Sequence, residues 1–177
     1  QSTSGITVNS GGSLLFSANN AVNDSAAITL AGGTLAMGGS GISDTVGTLT
    51  LSTDSVIDLG NASGARSLYF AASDLISWTG TLSIWNWNGT NMYGTSYGSG
   101  DRQIFFGNSA SGLNQTQLNS ISFYSGSGTG FIGTGFIRST GEIAAVPEPE
   151  VYATAVLLLL GLGLHFYRQN RRPLTTA

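Results

Sequence analysis

Few side chains in this sequence could carry out nucleophilic or metal chemistry. The 177 residues include one histidine, His165, and no cysteine. His165 lies inside a long apolar run near the C-terminus, so a serine nucleophile elsewhere has no histidine to activate it, and a cysteine nucleophile is absent. A zinc site is not expected either, because no cluster of histidine and cysteine ligands exists. We therefore predict no metal, no cofactor and no histidine-dependent catalysis.

The acidic residues do not form an evident catalytic pair. Asp54 and Asp58 lie four residues apart, but Asp54 falls at a predicted turn, and both carboxylates are expected to be solvated. Glycosidases need two carboxyl groups that face each other across a cleft, which this spacing does not predict. Residues 38–44 resemble a calcium-binding glycine-rich turn, but the aspartate falls one residue late, and a plain turn is expected. Enzymatic activity is not predicted.

Two tryptophans are the best candidates for ligand contact. Trp85 and Trp87 alternate along a predicted strand, with Leu82 and Ile84 on its other face. Two exposed, parallel indoles could stack on the sugar rings of an extracellular polysaccharide. The alternative is that these rings pack at the end of the hydrophobic core, where their large apolar area would be buried.

The charge of the chain argues against nucleic acid as a partner. Only 8% of the residues are charged, and 26 are glycine. The first 145 residues carry three arginines against seven acidic residues, a net charge of −4. Binding to nucleic acid depends on lysine and arginine at the phosphates, so no nucleic-acid partner is expected.

The N-terminal part of the chain, residues 1–74, contains a repeat. Apolar strand patterns begin at Ile6, Ile28 and Leu49, which are 22 and then 21 residues apart. Each unit is a pair of short alternating strands separated by a glycine-rich or polar turn. A period of this length predicts a β-solenoid, in which equivalent residues stack from coil to coil; a β-sandwich of hairpins is the alternative. The two predicted interior stacks are Val8 with Leu30 and Leu51, and Leu14 with Leu35 and Ile57.

The next part, residues 75–145, is richer in aromatic residues and less regular. We interpret it as the last coils and a C-terminal cap of the solenoid. Strands are predicted over 80–87, 103–106, 121–124, 131–138 and 142–145. The sequence Asn114-Gln115-Thr116-Gln117 has the spacing of a capping box, which predicts a short helix from Gln115 to Asn119.

The C-terminal part, residues 146–177, has three consecutive segments. A proline-rich motif over 146–150 comes first, and the apolar run 151–167 and a basic tail over 168–177 follow. As a helix the run would be about 26 Å long, close to the thickness of a bilayer core, and we predict a single transmembrane helix. The tail contains Arg168, Arg171 and Arg172, which would remain in the cytoplasm and leave the N-terminal part outside.

Two family resemblances accompany these patterns. Val146, Pro147, Glu148 and Pro149, followed by an apolar helix and arginines, resemble the PEP-CTERM sorting signal of Gram-negative bacteria. The resemblance implies recognition and cleavage near this motif by exosortase, a membrane enzyme. The repeats resemble autotransporter-associated β-strand repeats, which implies a right-handed parallel β-helix. A stiff spacer before a permanent anchor is the alternative interpretation of the motif.

The sequence thus predicts a mainly β protein: a right-handed parallel β-helix with a C-terminal cap, followed by one transmembrane helix. The expected function is that of an exported structural or adhesive protein, with an inner-membrane-anchored precursor and a mature form at the cell surface or in the extracellular matrix. The expected partners are an exosortase-type enzyme, the membrane and an exopolysaccharide. The runner-up is a permanently anchored carbohydrate-binding module that uses Trp85 and Trp87.

Overall fold

The computed structural model describes residues 5–94, 96, 102–147, 157, 160 and 165. The chain divides into two compact units, Gln1–Val146 and Pro147–Ala177. In chain order the described elements are β1 (Ile6–Asn9), β2 (Ser13–Phe16), β3 (Ile28–Ala31), β4 (Thr34–Met37), β5 (Ile42–Val46), β6 (Leu49–Thr53), β7 (Ser55–Asp58), β8 (Arg66–Phe70), β9 (Leu82–Trp85), β10 (Arg102–Phe106), α1 (Gln115–Asn119), β11 (Ile121–Tyr124), β12 (Phe131–Ile137) and β13 (Ile143–Pro147).

The first sheet joins one strand from each of the three predicted repeats. Its order is β1-β3-β6, and both pairings are parallel. Val8 pairs with Leu30, and Leu30 pairs with Leu51, so the predicted interior stack is confirmed. All three side chains are buried. The repeat therefore encodes a register, because each apolar position meets its equivalent in the next coil.

The second sheet runs along the solenoid and continues into the cap. Its order is β2-β4-β7-β9-β11-β12-β13, in which the first five strands are parallel and β12 is antiparallel to β11. Leu14 pairs with Leu35 and Leu35 with Ile57, which confirms the second predicted stack. The antiparallel pairing of β11 with β12 therefore marks the end of the parallel coils in this sheet.

The third sheet, β5-β8-β10, carries aromatic ladders on both of its faces. Phe70 and Phe106 stack inside the core, with ring centroids 4.9 Å apart, and Tyr69 and Phe105 stack outside, at 4.7 Å. Both pairs follow from the parallel register of β8 and β10. Because the strand spacing is about 4.8 Å, in-register rings come to the stacking distance without further adjustment.

The chain passes through three parallel sheets in turn, so this unit is a β-solenoid of three turns. This confirms the predicted solenoid and excludes the β-sandwich.

The coils pack closely at a glycine corner. A Cβ atom added to Gly33 would lie 2.7 Å from the carbonyl oxygen of Asn9 in the preceding coil. The neighbouring Gly32 has a φ angle of 85°, which other residues rarely adopt. Glycine at this corner is therefore required by both space and backbone angle.

Two buried serines join successive coils at two different corners of the solenoid. The Ser55 hydroxyl accepts a hydrogen bond from the Gly32 amide at 3.1 Å and donates to the Thr53 carbonyl at 2.9 Å. Ser73 repeats the arrangement with the Leu49 amide and the Ala71 carbonyl. These hydroxyls satisfy backbone groups that lie inside the molecule away from water.

The predicted short helix is confirmed. Helix α1 spans Gln115–Asn119, and both hydrogen bonds of the capping box with Asn114 as N-cap are present. The predicted strands of the aromatic region are also observed, with bounds that differ by up to two residues at each end.

The prediction of a transmembrane helix over 151–167 is corrected. Within the described residues, no helix is long and apolar enough to cross a membrane. The run contains 17 residues, and about 20 are needed to cross a hydrocarbon core of about 30 Å, so it lies at the short limit for a span. Leu157, Leu160 and His165 are helical. The rest of the run and the tail with Arg168, Arg171 and Arg172 lie outside the described residues.

Candidate functional site

The structure does not form the predicted pair of exposed indoles. Trp85 is half-buried at the end of β9, whereas Trp87 is 1% exposed and packs against Phe123 at a centroid distance of 4.9 Å. Asn86, between them, has a φ angle of 56° in the left-handed region. Left-handed backbone breaks the alternation of a strand, so Trp87 turns into the core. Trp87 therefore packs in the core, as the alternative interpretation expected, and the prediction that both rings lie on one open face is wrong for Trp87.

The carboxylates of Asp54 and Asp58 anchor turns. Asp54 is exposed and accepts hydrogen bonds from the amide and hydroxyl of Thr81, which lower the pKa of its carboxyl group. Asp58 is half-buried and accepts from the Gly60 amide at 2.8 Å and the Asn86 side chain at 2.6 Å. Each carboxylate therefore forms its hydrogen bonds at a different turn, and the two are not placed together as an acid–base pair.

Among the described residues, three charged side chains are buried, and the sequence analysis did not predict their burial. Asp44 is 1% exposed; its Oδ2 accepts from the Ala21 amide at 2.6 Å, and its Oδ1 has no hydrogen bond within the described structure. Burial raises the pKa of this carboxyl group, and the charge of Asp24 raises it further. Asp44 thus points inward from β5, between Ile42 and Val46.

Arg66 and Arg102 start adjacent strands and pair in register. Both donate to the carbonyl oxygen of Ala62, Arg66 at 3.0 Å and Arg102 at 2.9 Å, and Arg102 also donates to that of Asn86 at 2.6 Å. Burial lowers the pKa of Arg102, as does the nearby charge of Arg66. The two guanidinium groups therefore stabilise the turn that contains Ala62, and their hydrogen-bond partners there are neutral carbonyl groups.

A concave site lies beside α1. It is a cavity of about 350 Å³ whose walls carry no charged side chain. This volume is at the lower end of the range for small-molecule sites. Its lining residues are Ile76, Ser77, Trp78, Asn114, Gln115, Thr116, Gln117 and Ser120.

The cavity arises where a helix replaces a strand at the end of the first sheet. The segment after β8 continues the stack next to β6, since the Thr79 amide donates to the Leu51 carbonyl at 2.9 Å. Helix α1 follows in the next turn of the chain. Strands stack about 4.8 Å apart, whereas a helix with its side chains is about 10 Å wide. The axis of the helix therefore lies farther from the segment than a strand would, and residues of both line the cavity.

Trp78 is held rigidly in the wall of this cavity. Its indole Nε1 donates to the Leu49 carbonyl oxygen at 2.9 Å. Its ring meets Phe106 edge-on, at a centroid distance of 6.0 Å and an interplanar angle of 62°. The hydrogen bond and the ring contact together fix the orientation of the half-buried indole before any ligand arrives.

Gln117 fixes the opposite wall. Its side-chain nitrogen donates to the Ser73 carbonyl at 2.8 Å and to the Ile76 carbonyl at 2.9 Å, and its side-chain oxygen accepts from the Asn114 amide at 2.8 Å. The Asn114 side chain also donates to the Asp74 carbonyl at 2.7 Å. The capping box therefore stabilises the helix and also binds it to the turn at 73–76, across about 40 residues of sequence.

The C-terminal motif begins inside the last strand. Val146 is half-buried and Pro147 is buried, and both belong to β13. Glu148 and Pro149 lie outside the described residues, and their role stays a prediction. Directly before this strand, the Glu142 carboxylate accepts a hydrogen bond from the Gln103 side chain at 3.2 Å. It also forms an ion pair with Arg138, with 3.6 Å between Glu142 Oε2 and Arg138 Nε. These contacts fix the start of β13 against β10 and the end of β12.

Within the described part of the chain, no group of three histidine, cysteine or acidic side chains is placed to hold a metal ion. Comparisons of the sequence and structure with protein-family models, with curated proteins and with solved structures found no match.

Proposed function

We propose that this chain is an exported bacterial surface or extracellular-matrix protein, structural or adhesive in role. Its C-terminal signal would be processed by an exosortase-type enzyme. One observation carries the proposal: Val146 and Pro147 are the last residues of β13, and the first compact unit ends at Val146. The motif therefore starts where the solenoid stops. Cleavage beyond Pro147 would remove no described strand or part of the core, so the released unit would keep its fold.

The solenoid suits a structural or adhesive role. Its coils are joined by parallel hydrogen-bonded ladders and by one continuous buried core. The outer positions of the third sheet include Ser43, Thr45, Ser67 and Gln103, which are neutral, and the aromatic pair Tyr69 and Phe105 lies beside them. A rigid surface of uncharged hydroxyl and aromatic groups is compatible with contact to an extracellular polysaccharide. The arrangement of Trp85 and Trp87 does not favour the runner-up, because Trp87 is buried.

Processing can be tested in a bacterium that contains an exosortase. Glu148→Ala and Pro149→Ala change residues beyond the last described strand. Glu150→Ala is the matched control, because Glu150 is not one of the four residues 146–149 that carry the resemblance to the sorting signal. We expect mass spectrometry of the C-terminus to find processed protein for the wild type and the control, lacking residues 157–177. The two motif variants should remain uncleaved.

Pro147→Ala is made separately, because Pro147 is buried in β13 and its replacement could also disturb the strand. Circular dichroism of the purified variant separates the two effects. If Glu148→Ala and Pro149→Ala are cleaved as efficiently as the wild type, the proposed sorting function is wrong.

A further inference from the structure

We propose that the cavity between Trp78 and α1 binds one uncharged sugar unit of an extracellular polysaccharide. This inference rests on the adhesive form of the proposed function, for which it names the ligand class and the site. The predicted pair Trp85 and Trp87 is not involved. A different tryptophan takes part, in a wall that is assembled from two distant segments of the chain.

The chemistry of the walls selects the ligand class. Hydroxyl and amide side chains supply both donors and acceptors, and neither a carboxylate nor a cationic group lines the cavity. A ligand with a full charge would lose its hydration without gaining a counter-charge. A polyhydroxyl ligand can instead exchange its bonds to water for bonds to these side chains. Trp78 supplies an aromatic surface for the C–H groups of a sugar ring.

The polar groups of the cavity divide into two sets. Asn114 and Gln117 are committed to the capping box and to the carbonyl groups of 73–76, so they shape the walls. Gln115 is exposed, and the bond from its side-chain nitrogen to Asn119 at 2.8 Å leaves its side-chain oxygen available. Ser77 and Thr116 present exposed hydroxyl groups on the same cavity. Gln115, Ser77 and Thr116 are therefore the residues that would contact hydroxyl groups of the sugar.

The site is preformed. Trp78 is fixed by its bond to Leu49 and its contact with Phe106, and α1 is fixed by Gln117. A ligand therefore does not have to order the walls, and less of the interaction energy is lost on binding. Because the solenoid is rigid, every copy of the protein would present the site in the same conformation.

The test uses the full 177-residue chain and four oligosaccharides of equal length. Three are neutral: cellohexaose, maltohexaose and mannohexaose. The fourth, an oligogalacturonate, is acidic. Binding is measured by isothermal titration calorimetry and by tryptophan fluorescence. We expect saturable binding of at least one neutral oligosaccharide and no binding of the acidic one.

Two variants of α1 form a matched pair. Gln115→Ala and Asn119→Ala each remove the same exposed side-chain hydrogen bond, but only Gln115 lines the cavity. We expect Gln115→Ala to weaken binding about fivefold, the effect of one hydrogen bond, and Asn119→Ala to change it by less than about twofold. Trp78→Phe should weaken binding about tenfold and abolish the fluorescence response that reports on this indole. If Trp78→Phe does not fold, the pair in α1 still decides.

Any of three results would overturn the inference: no binding of the neutral oligosaccharides, equal effects of Gln115→Ala and Asn119→Ala, or equal binding of the acidic oligosaccharide. Loss of the sugar site would leave the processing experiment unaffected, because that experiment measures the mass of the C-terminus. Conversely, failure of processing would not alter the binding measured on the purified chain. The two proposals can therefore fail separately.

Discussion

The strongest single test of the cap concerns Gln117. This side chain is 2% exposed and fills three hydrogen-bonding positions, with the carbonyl groups of Ser73 and Ile76 and the amide of Asn114. Gln117→Glu keeps the shape of the side chain and the bond from Asn114. It replaces the nitrogen that donates to Ser73 and Ile76 with an oxygen. The two carbonyl oxygens then face a carboxylate, with no donor between them.

The expected cost follows from these contacts. The Ser73 carbonyl forms a buried bond, and its loss should cost about 2 kcal/mol; the Ile76 carbonyl is partly buried and adds about 1 kcal/mol. We therefore expect Gln117→Glu to lower the free energy of unfolding at pH 7 by about 3 kcal/mol. For a chain of this size, that corresponds to a fall in Tm of roughly 9 °C.

Gln115→Glu is the matched control, because it makes the same chemical change two residues earlier on an exposed position of α1. It should alter stability by no more than about 0.5 kcal/mol. Both variants are compared by urea denaturation followed by circular dichroism. Protonation of the carboxyl group introduced by Gln117→Glu restores one donor, so the penalty of this substitution should shrink near pH 4, below the ordinary glutamate pKa of about 4.3. Equal destabilisation by the two variants, or a penalty independent of pH, would refute this account of the cap.

Two further predictions concern the solenoid. Burial raises the pKa of Asp44 in the folded state, so its contribution favours folding at low pH and declines as pH rises from about 4 through the folded pKa. Urea unfolding of Asp44→Asn over this range should show a smaller fall in stability than the wild type; an unchanged pH profile would contradict the assignment. Leu51 is fully buried and Leu75 is 92% exposed. Calorimetry should show that Leu51→Ala costs about 3 kcal/mol and Leu75→Ala less than about 0.5 kcal/mol, and similar costs would show that the interior stack is misplaced.

The repeated part of the fold could be predicted because its contacts repeat at intervals of 21 or 22 residues. Alignment of Ile6, Ile28 and Leu49 places Val8, Leu30 and Leu51 in register within the first sheet. The turns absorb the difference of one residue, so that Leu14 still pairs with Leu35 in the second sheet. Helix α1 could be predicted for a different reason: its capping box is formed by residues three apart, so the signal is local.

The candidate site could not be predicted, because it depends on contacts between distant segments. Trp78 is held by Leu49, 29 residues away, and Gln117 by Ser73, 44 residues away. No local pattern reports such partners. Asn86 illustrates a second limit, since one residue with a positive φ directly after β9 ends the alternation of the strand and turns Trp87 into the core. A useful signal was the capping-box sequence at 114–117, because Asn114 and Gln117 both cap α1 and bond it to the turn at 73–76.

The direction of the hydrogen bonds between coils has a mechanical consequence. In a stack of parallel strands these bonds run along the axis of the stack. Tension applied through Pro147 would reach β13 first and open its bonds to β12 before those of deeper coils. The ladders then open one after another rather than all at once. Under load such a molecule would lengthen in stages and dissipate energy, while the coils that are still closed keep their structure.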